Sequence, residues 1–215
     1  MPLSAETFTT RRTVPWFLVG ERDNPDVVTV VLHGLGQRAA PVAESLAATV
    51  RPGQLLVVPE ALNRALPRPG APKAMACWST GEDAAADLAD NVAYLDSLRD
   101  HVQARFQPRS WQLVGFSQGG LTAARWIGQR AHDWDRVVLW ASPVPGDVDP
   151  HRFRKNLGDA ELVVALGDDD PYATHVGMAR AKVALDALGL KWRMHRFAGR
   201  HEVPPAEFAA VTGAA

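Results

Sequence analysis

The stretch Trp111-Gln112-Leu113-Val114-Gly115-Phe116-Ser117-Gln118-Gly119-Gly120 decides how this chain folds. Its β-favouring first half predicts a buried strand over 111–115, and the Ala-rich residues after it predict a helix over about 118–130. Glycines on both sides of Ser117 permit a turn between them that is too tight for side chains. The stretch therefore predicts strand, sharp turn and helix in immediate succession, with Ser117 at the turn.

The same alternation of short apolar runs and longer Ala-rich segments extends in both directions from this stretch. Buried strands are predicted over residues 27–32, 55–58, 111–115, 137–140, 162–166 and 192–197, and helices over about 40–50, 81–105, 118–130, 172–188 and 204–212. Repeated strand–helix units favour a mostly parallel sheet with helices on both faces. The proline-marked stretches 59–80, predicted to be a loop, and 142–158, predicted to hold a loop or one short helix, are too short for a second domain, which leaves little or no lid.

Composition narrows the class of protein. The chain has 215 residues, of which 47% are hydrophobic, and 23 basic and 24 acidic side chains give a net charge of −1. This balance predicts one globular domain over 1–215 and argues against a nucleic-acid partner, whose footprint would be basic. No apolar run is long enough to span a membrane, and the N-terminus does not resemble a secretory signal. With Cys77 as the only cysteine, no intramolecular disulfide forms, and we expect a cytoplasmic protein without stable membrane association.

The pentapeptide Gly115-Phe116-Ser117-Gln118-Gly119 matches the Gly-x-Ser-x-Gly pattern of a nucleophile elbow. In that motif a strained backbone holds the serine hydroxyl clear of the sheet, and the following helix directs its N-terminus at the site. The alternative is a serine in an ordinary glycine-rich turn. The strand before it and the helix after it favour Ser117 as a nucleophile.

A serine hydroxyl needs a general base, which in turn needs an acid to orient it. In proteins with such an elbow the chain order is Ser, acid, His, which leaves His175, His195 and His201 as candidates for the base. His175 is expected at a helix surface and His195 lies inside a predicted strand. His201 follows that strand in a loop, from which its ring can reach Ser117, so we predict His201 as the base.

The acid is expected after the strand 162–166, where the loop reads Gly167-Asp168-Asp169-Asp170-Pro171. A proline disfavours the helical conformation in the residue before it, so Asp170 is held extended. Spacing alone leaves Asp168 and Asp169 as alternatives. The three carboxylates are also compatible with a solvated turn or a weak cation site, although no further ligands are evident and no metal is predicted.

An acyl-transfer site also needs backbone N–H groups that bind a developing oxyanion. The residue after the nucleophile, Gln118, supplies one. The run Leu32-His33-Gly34-Leu35-Gly36 ends an earlier predicted strand, and its glycines permit the chain to turn its amides inward. We predict the N–H of Leu35 as the second donor, the alternative being an ordinary glycine turn.

Together, these motifs resemble the phospholipase/carboxylesterase family of α/β hydrolases, which includes acyl-protein thioesterases. The resemblance covers about residues 27–211, and Gly-Phe-Ser-Gln-Gly-Gly is its most specific part. It implies the α/β-hydrolase fold and a Ser117–Asp170–His201 triad, since the family acid precedes proline in a Gly-Asp-x-Asp-Pro pattern. It also implies Leu35 and Gln118 as oxyanion donors. The chain departs from the family at Tyr172, where a small aliphatic residue is usual, and after Trp78.

The resemblance predicts a serine carboxylesterase that acts on a small-molecule ester through an acyl-enzyme and without a cofactor; thioesters and lysophospholipids are further candidate substrates. Leu35 and Trp78, together with Trp16, are candidate residues for contacting the acyl group, although tryptophan commonly packs in a core. Because relatives of this type are often dimers, a homodimer is among the expected states. The alternative function is a small-molecule-binding protein that kept the fold without catalysis.

Overall fold

The structure, a computed structural model, describes residues 6–66, 68, 70–71, 73–172, 181–183, 185–187 and 189–213. The strands in chain order are β1 (Trp16–Gly20), β2 (Val27–Leu32), β3 (Gln54–Pro59), β4 (Asn63–Ala65), β5 (Met75–Cys77), β6 (Ser110–Phe116), β7 (Arg136–Trp140), β8 (Glu161–Gly167) and β9 (Trp192–Phe197). Seven of them form one sheet in the order β1-β3-β2-β6-β7-β8-β9, while β4 and β5 pair separately as an antiparallel hairpin. Within the large sheet, β1 runs antiparallel to β3 and the other pairs are parallel.

All six predicted strands are present, and three short strands were not predicted. Strand β1 lies at the sheet edge and is only half-buried, so its sequence lacks the continuous apolar character of the central strands. Strands β4 and β5 are three residues each and lie within the stretch 59–80, which the sequence predicted to be irregular. Pairing between strands this short depends on their surroundings more than on their own propensity.

The helices are α1 (Ala39–Leu46), α2 (Ala84–Phe106), α3 (Gln118–Gln129), α4 (Pro150–Leu157) and α5 (Pro205–Thr212), and a short 3₁₀ segment (Ala47–Thr49) follows α1. Helix α4 occupies the second half of the stretch 142–158, for which the sequence predicted a loop or one short helix. Asp149 caps its first turn by accepting the N–H of Arg152 at 2.7 Å, and Pro150 stands at its first position. Of the predicted helix 172–188, residues 173–180, 184 and 188 lie outside the described residues, and 181–183 and 185–187 are helical.

Successive residues of the central strands bury against opposite faces of the sheet. In β2, Val30 and Leu32 join one apolar core and Val31 joins the other. The first core is completed by α2, α3 and α4, and the second by α1 and α5. This confirms the predicted α/β class, in which burial on both faces explains why the strands read as nearly unbroken apolar runs.

Parallel strands bring their carboxyl ends to one edge of the sheet, and the loops that carry the predicted chemistry leave from that edge. The loop after β2 carries Gly34, the turn after β6 carries Ser117, the loop after β8 carries Asp170, and the loop after β9 carries His201. In open α/β sheets this edge is the usual place for a site. No helix in the described part of the chain is both long and apolar enough to cross a membrane.

Candidate active site

Ser117 lies on the sharp turn that the sequence predicted between β6 and α3. Its backbone has φ 53° and ψ −117°, a conformation that L-residues rarely adopt, and its N–H donates to the carbonyl of Trp140 at 2.8 Å. A Cβ on Gly115 would stand 2.5 Å from the oxygen of Gly119, and one on Gly119 would stand 2.6 Å from the oxygen of His33. The two glycines are therefore required by close backbone contacts, and the contacts hold the serine in its strained conformation.

The ring of His201 reaches Ser117 from the loop after β9. Its Nε2 is 2.9 Å from Ser117 Oγ, within hydrogen-bond distance. The ring lies between Phe116, at 4.8 Å between centroids, and Tyr172, at 4.6 Å in an edge-on arrangement. These two aromatic contacts limit the rotation of the imidazole.

Asp170 lies behind His201 and completes the arrangement. Its Oδ2 is 2.8 Å from Nδ1 of His201, and its Oδ1 accepts the N–H of Tyr172 at 2.9 Å. The residue is only 6% exposed. A buried carboxylate held on both oxygens favours the tautomer with the proton on Nδ1, which leaves Nε2 facing Ser117 Oγ without a proton.

The other two aspartates of the loop are directed elsewhere. Asp168 is exposed and forms an ion pair with Arg196 at 2.6 Å, and Asp169 is exposed with its N–H bound to the oxygen of Gly199. Among the described residues, no group of three or more His, Cys, Asp or Glu side chains is placed to hold a metal ion. The three carboxylates therefore do not converge on a common point.

Of the other two histidines considered from the sequence, His195 is engaged away from Ser117. His195 Nε2 is 2.7 Å from Glu207 in α5, which ties the last strand to the last helix. His175 lies outside the described residues.

One close contact that the sequence analysis missed brings the loop after β8 and the loop after β9 together. A Cβ on Gly167 would lie 2.5 Å from the oxygen of Gly199. Trp140 also donates from its indole to the oxygen of Glu202 at 2.8 Å. The contact between Gly167 and Gly199 could have been suspected from the glycine at the end of β8, although nothing in the sequence indicated which loop would approach it.

The loop after β2 presents one backbone N–H at the same edge. Gly34 donates to Oε1 of Gln37 at 2.8 Å, and Gly36 donates to the oxygen of Ala76 at 2.9 Å. Leu35, between them, has no acceptor for its N–H among the described residues, and the residue is 64% exposed. Gln118 opens α3, where the first N–H groups of a helix are left without partners inside the helix.

Trp78 is placed differently from the expectation that it contacts an acyl group. Its side chain is completely buried in the core, and its indole donates to the carbonyl of His33 at 2.8 Å. The prediction that Trp78 binds substrate does not agree with this placement, because a side chain with no exposed surface offers no contact to an incoming ligand. Trp16 is half-buried in β1 and packs edge-on against His101 of α2.

The cysteine stands near this region without the features of a nucleophile. Cys77 is half-buried in β5, and burial raises the pKa of its thiol, with the nearby Asp87 carboxylate acting in the same direction. A raised thiol pKa reduces the thiolate fraction at neutral pH.

Comparison with solved structures shows which fold these elements form. The crystal structure of esterase PE8 superposes with a TM-score of 0.69 at 18% identity, over 93% of this chain and 97% of that one. Acyl-protein thioesterase 2 from Zea mays gives 0.70 at 18% identity, over 92% and 95%. The carboxylesterase from Bacillus cereus gives 0.63 at 18% identity, over 91% and 92%. The chain has the α/β-hydrolase fold. No family model matches the chain, and the comparison with curated protein sequences found no match.

Glu60 and Arg38, which sequence analysis did not identify, form an ion pair beside the β2 loop in this α/β-hydrolase fold. The carboxylate of Glu60 is buried, pairs with Nε of Arg38, and accepts the N–H of Ala39 at 3.0 Å. It thereby anchors the start of α1, directly after the loop. The nearby phenol of Tyr94 is buried without a partner among the described residues, and burial together with the Glu60 charge raises its pKa.

Proposed function

We propose that this chain is a serine hydrolase that cleaves carboxylic esters, with Ser117 as nucleophile, His201 as general base and Asp170 as the orienting acid. The observation that carries the proposal is the continuous arrangement of the three side chains, 2.9 Å from Ser117 Oγ to His201 Nε2 and 2.8 Å from His201 Nδ1 to Asp170. This is the geometry by which such triads are recognised, whatever the order of their residues in the chain.

The reaction follows from the protons that these groups hold. As Ser117 Oγ attacks the ester carbonyl, its proton passes to Nε2 of His201, and the negative charge moves to the carbonyl oxygen. The N–H groups of Leu35 and Gln118 are the proposed donors to that oxyanion. His201 then returns the proton to the leaving alkoxide as the carbon–oxygen bond breaks, which leaves an acyl-enzyme. Water, deprotonated by His201, attacks this ester and releases the carboxylic acid, and Ser117 recovers its proton.

The proposed substrate class is that of the phospholipase/carboxylesterase family: carboxylic esters first, then thioesters and lysophospholipids. The shared Gly-Phe-Ser-Gln-Gly-Gly sequence supports this, and so does the fold likeness to proteins named esterase, carboxylesterase and acyl-protein thioesterase. The exposed Leu35 side chain, next to a proposed oxyanion donor, is the candidate contact for an acyl group.

A fluorophosphonate probe tests the proposal directly, because it modifies an activated serine irreversibly. We expect stoichiometric labelling of the wild-type chain, located on Ser117 by peptide mass spectrometry, together with turnover of a p-nitrophenyl butyrate substrate. Ser117→Ala should abolish labelling and lower kcat by about 10⁴ to 10⁶.

Cys77→Ser is the matched control, since it changes the other nucleophilic side chain near the site and should keep both labelling and turnover. Folded wild-type protein that neither labels nor turns over ester would overturn the proposal and leave a binding protein as the better interpretation.

A further inference from the structure

The side chain of Gln118 binds a neighbouring loop, in addition to the proposed role of its backbone. Its Oε1 accepts the N–H of Trp78 at 2.9 Å, and its Nε2 donates to the oxygen of Ser79 at 2.8 Å. The amide therefore uses both of its ends on two successive residues of one backbone segment. Both hydrogen bonds join this backbone segment to the first residue of α3.

Trp78 is in turn hydrogen-bonded to the β2 loop. Its indole donates to the carbonyl of His33 at 2.8 Å, and its ring lies 5.2 Å from the His33 ring. Its own carbonyl accepts from Nδ2 of the buried Asn91 at 2.6 Å, which fixes the segment against α2. Because the indole is completely buried, water does not compete for its hydrogen bond.

His33 completes the connection at the residue before Gly34. Its Nε2 accepts the N–H of Ala61 at 3.1 Å, so the proton of the neutral ring lies on Nδ1, which donates to the oxygen of Gly34 at 2.9 Å. Burial lowers the pKa of His33 and favours this neutral form. The peptide that follows Gly34 carries the N–H of Leu35.

We propose that Gln118 and Trp78 are positioning residues that hold the N–H of Leu35 and the N–H of Gln118 in mutual alignment. The chain of hydrogen bonds runs from the Gln118 amide through the Trp78 backbone and indole to the His33–Gly34 peptide, and so joins the two loops that supply these donors. This inference rests on the proposed function. It assigns Trp78 a role in the reaction that does not require contact with substrate.

Misalignment of oxyanion donors has a specific kinetic signature. Donors aimed at the oxyanion act mainly in the transition state, so weakening them lowers kcat and leaves KM little changed. Complete loss of one such donor costs about 10²- to 10³-fold in kcat, and a displaced donor should cost less, about 10- to 100-fold.

Two variants and one control test the inference. Trp78→Phe keeps a buried ring and removes the indole N–H, and Gln118→Met keeps the side-chain length and removes both amide hydrogen bonds. Trp126→Phe is the control, because Trp126 is also buried but donates its indole N–H to Asp96 of α2 at 2.7 Å. The measurements are kcat and KM for a soluble ester, and the thermal midpoint of each variant.

We expect kcat to fall about 10- to 100-fold in Trp78→Phe and Gln118→Met, with KM within about twofold. Trp126→Phe should keep its kcat despite a comparable loss of thermal midpoint.

Wild-type kcat in Trp78→Phe and Gln118→Met would overturn the inference, as would an equal loss of kcat in Trp126→Phe or a change confined to KM. If Trp78→Phe does not fold, Gln118→Met decides the question alone. Wild-type turnover with Ser117 labelling is measured in parallel, so failure of the proposed function is seen there, separately from failure of this inference.

Discussion

Asp168 and Asp170 are two residues apart on one loop, and their carboxylates bind different partners. Asp170 is buried against Nδ1 of His201, and Asp168 is exposed in an ion pair with Arg196. The turn between them, in which the N–H of Asp170 donates to the oxygen of Gly167 at 3.3 Å, separates the two side chains. Removing the charge of Asp170 should therefore affect catalysis far more than removing the charge of Asp168.

We predict that Asp170→Asn lowers kcat by about 10⁴, because an amide in place of the carboxylate favours the wrong tautomer of His201. Asp168→Asn removes a surface ion pair worth about 0–1 kcal/mol and should leave kcat within about twofold. Steady-state kinetics on the two variants, with a thermal midpoint for each, makes the comparison. An inactive Asp168→Asn beside an active Asp170→Asn would contradict the assignment of the acid.

A methyl group at Gly119 should disturb the elbow. It would enter the space of the Leu32 and His33 carbonyl oxygens, which belong to backbone and cannot rotate away. We expect Gly119→Ala to lower the free energy of unfolding by about 1–3 kcal/mol and to slow fluorophosphonate labelling. Gly146→Ala makes the same chemical change where nothing lies within 4 Å, and urea unfolding should show it unaffected. Equal stability of the two variants would argue against a required close approach.

Stability should decline as the pH falls below 6.5. Burial lowers the pKa of His33 and of His132 below their ordinary value of 6.5, although the Asp96 carboxylate partly opposes this at His132. The unfolded chain therefore takes up protons first, so the free energy of unfolding is highest above pH 6.5 and decreases from there towards the folded pKa values. Burial would raise the pKa of Asp96, but its hydrogen bonds to Trp126, His132 and Arg130 outweigh burial and lower it. Asp96 therefore stays ionised across this pH range.

Urea titrations at pH 7.5 and 5.0 measure this decline, and His132→Gln should reduce it by removing one of the two titrating rings. A free energy of unfolding that is constant or rises between pH 7.5 and 5.0 would show that these rings are not held neutral.

The site should accept short to medium acyl chains without activation at an interface. Helix α4 fills much of the stretch 142–158, and the exposed apolar side chains of Leu35 and Met75 offer a contact at the edge of the sheet. Each buried methylene contributes about 0.8 kcal/mol, or about fourfold in kcat/KM, so the rate should rise over the first few carbons and then level off. Measurements with esters of increasing length, above and below the concentration at which they aggregate, test this. A sharp increase on aggregation would indicate a lid.

The sequence by itself determined the six main strands, four helices and the turn that carries Ser117. Burial on both faces makes the central strands continuous apolar runs, and the glycines at 115 and 119 occupy positions where no side chain fits. The order of Ser, acid and His in the chain, together with the loop position of His201, also predicted His201 as the base. The loop position is informative because the loops after parallel strands lie at one edge of the sheet. For the acid, position before Pro171 and the family resemblance selected Asp170, the one aspartate of the loop that the structure places against His201.

Tertiary structure alone decided which side chains support these groups. The half-buried edge strand β1 and the short β4–β5 hairpin carry little local signal, since their pairing depends on neighbours that are distant in the chain. The hydrogen bonds of the buried Trp78 indole, the Glu60 carboxylate and the Gln118 amide likewise join residues 21 to 45 positions apart. A hydrogen bond of this kind depends on direction and distance in the folded chain, and residue type and spacing do not specify either.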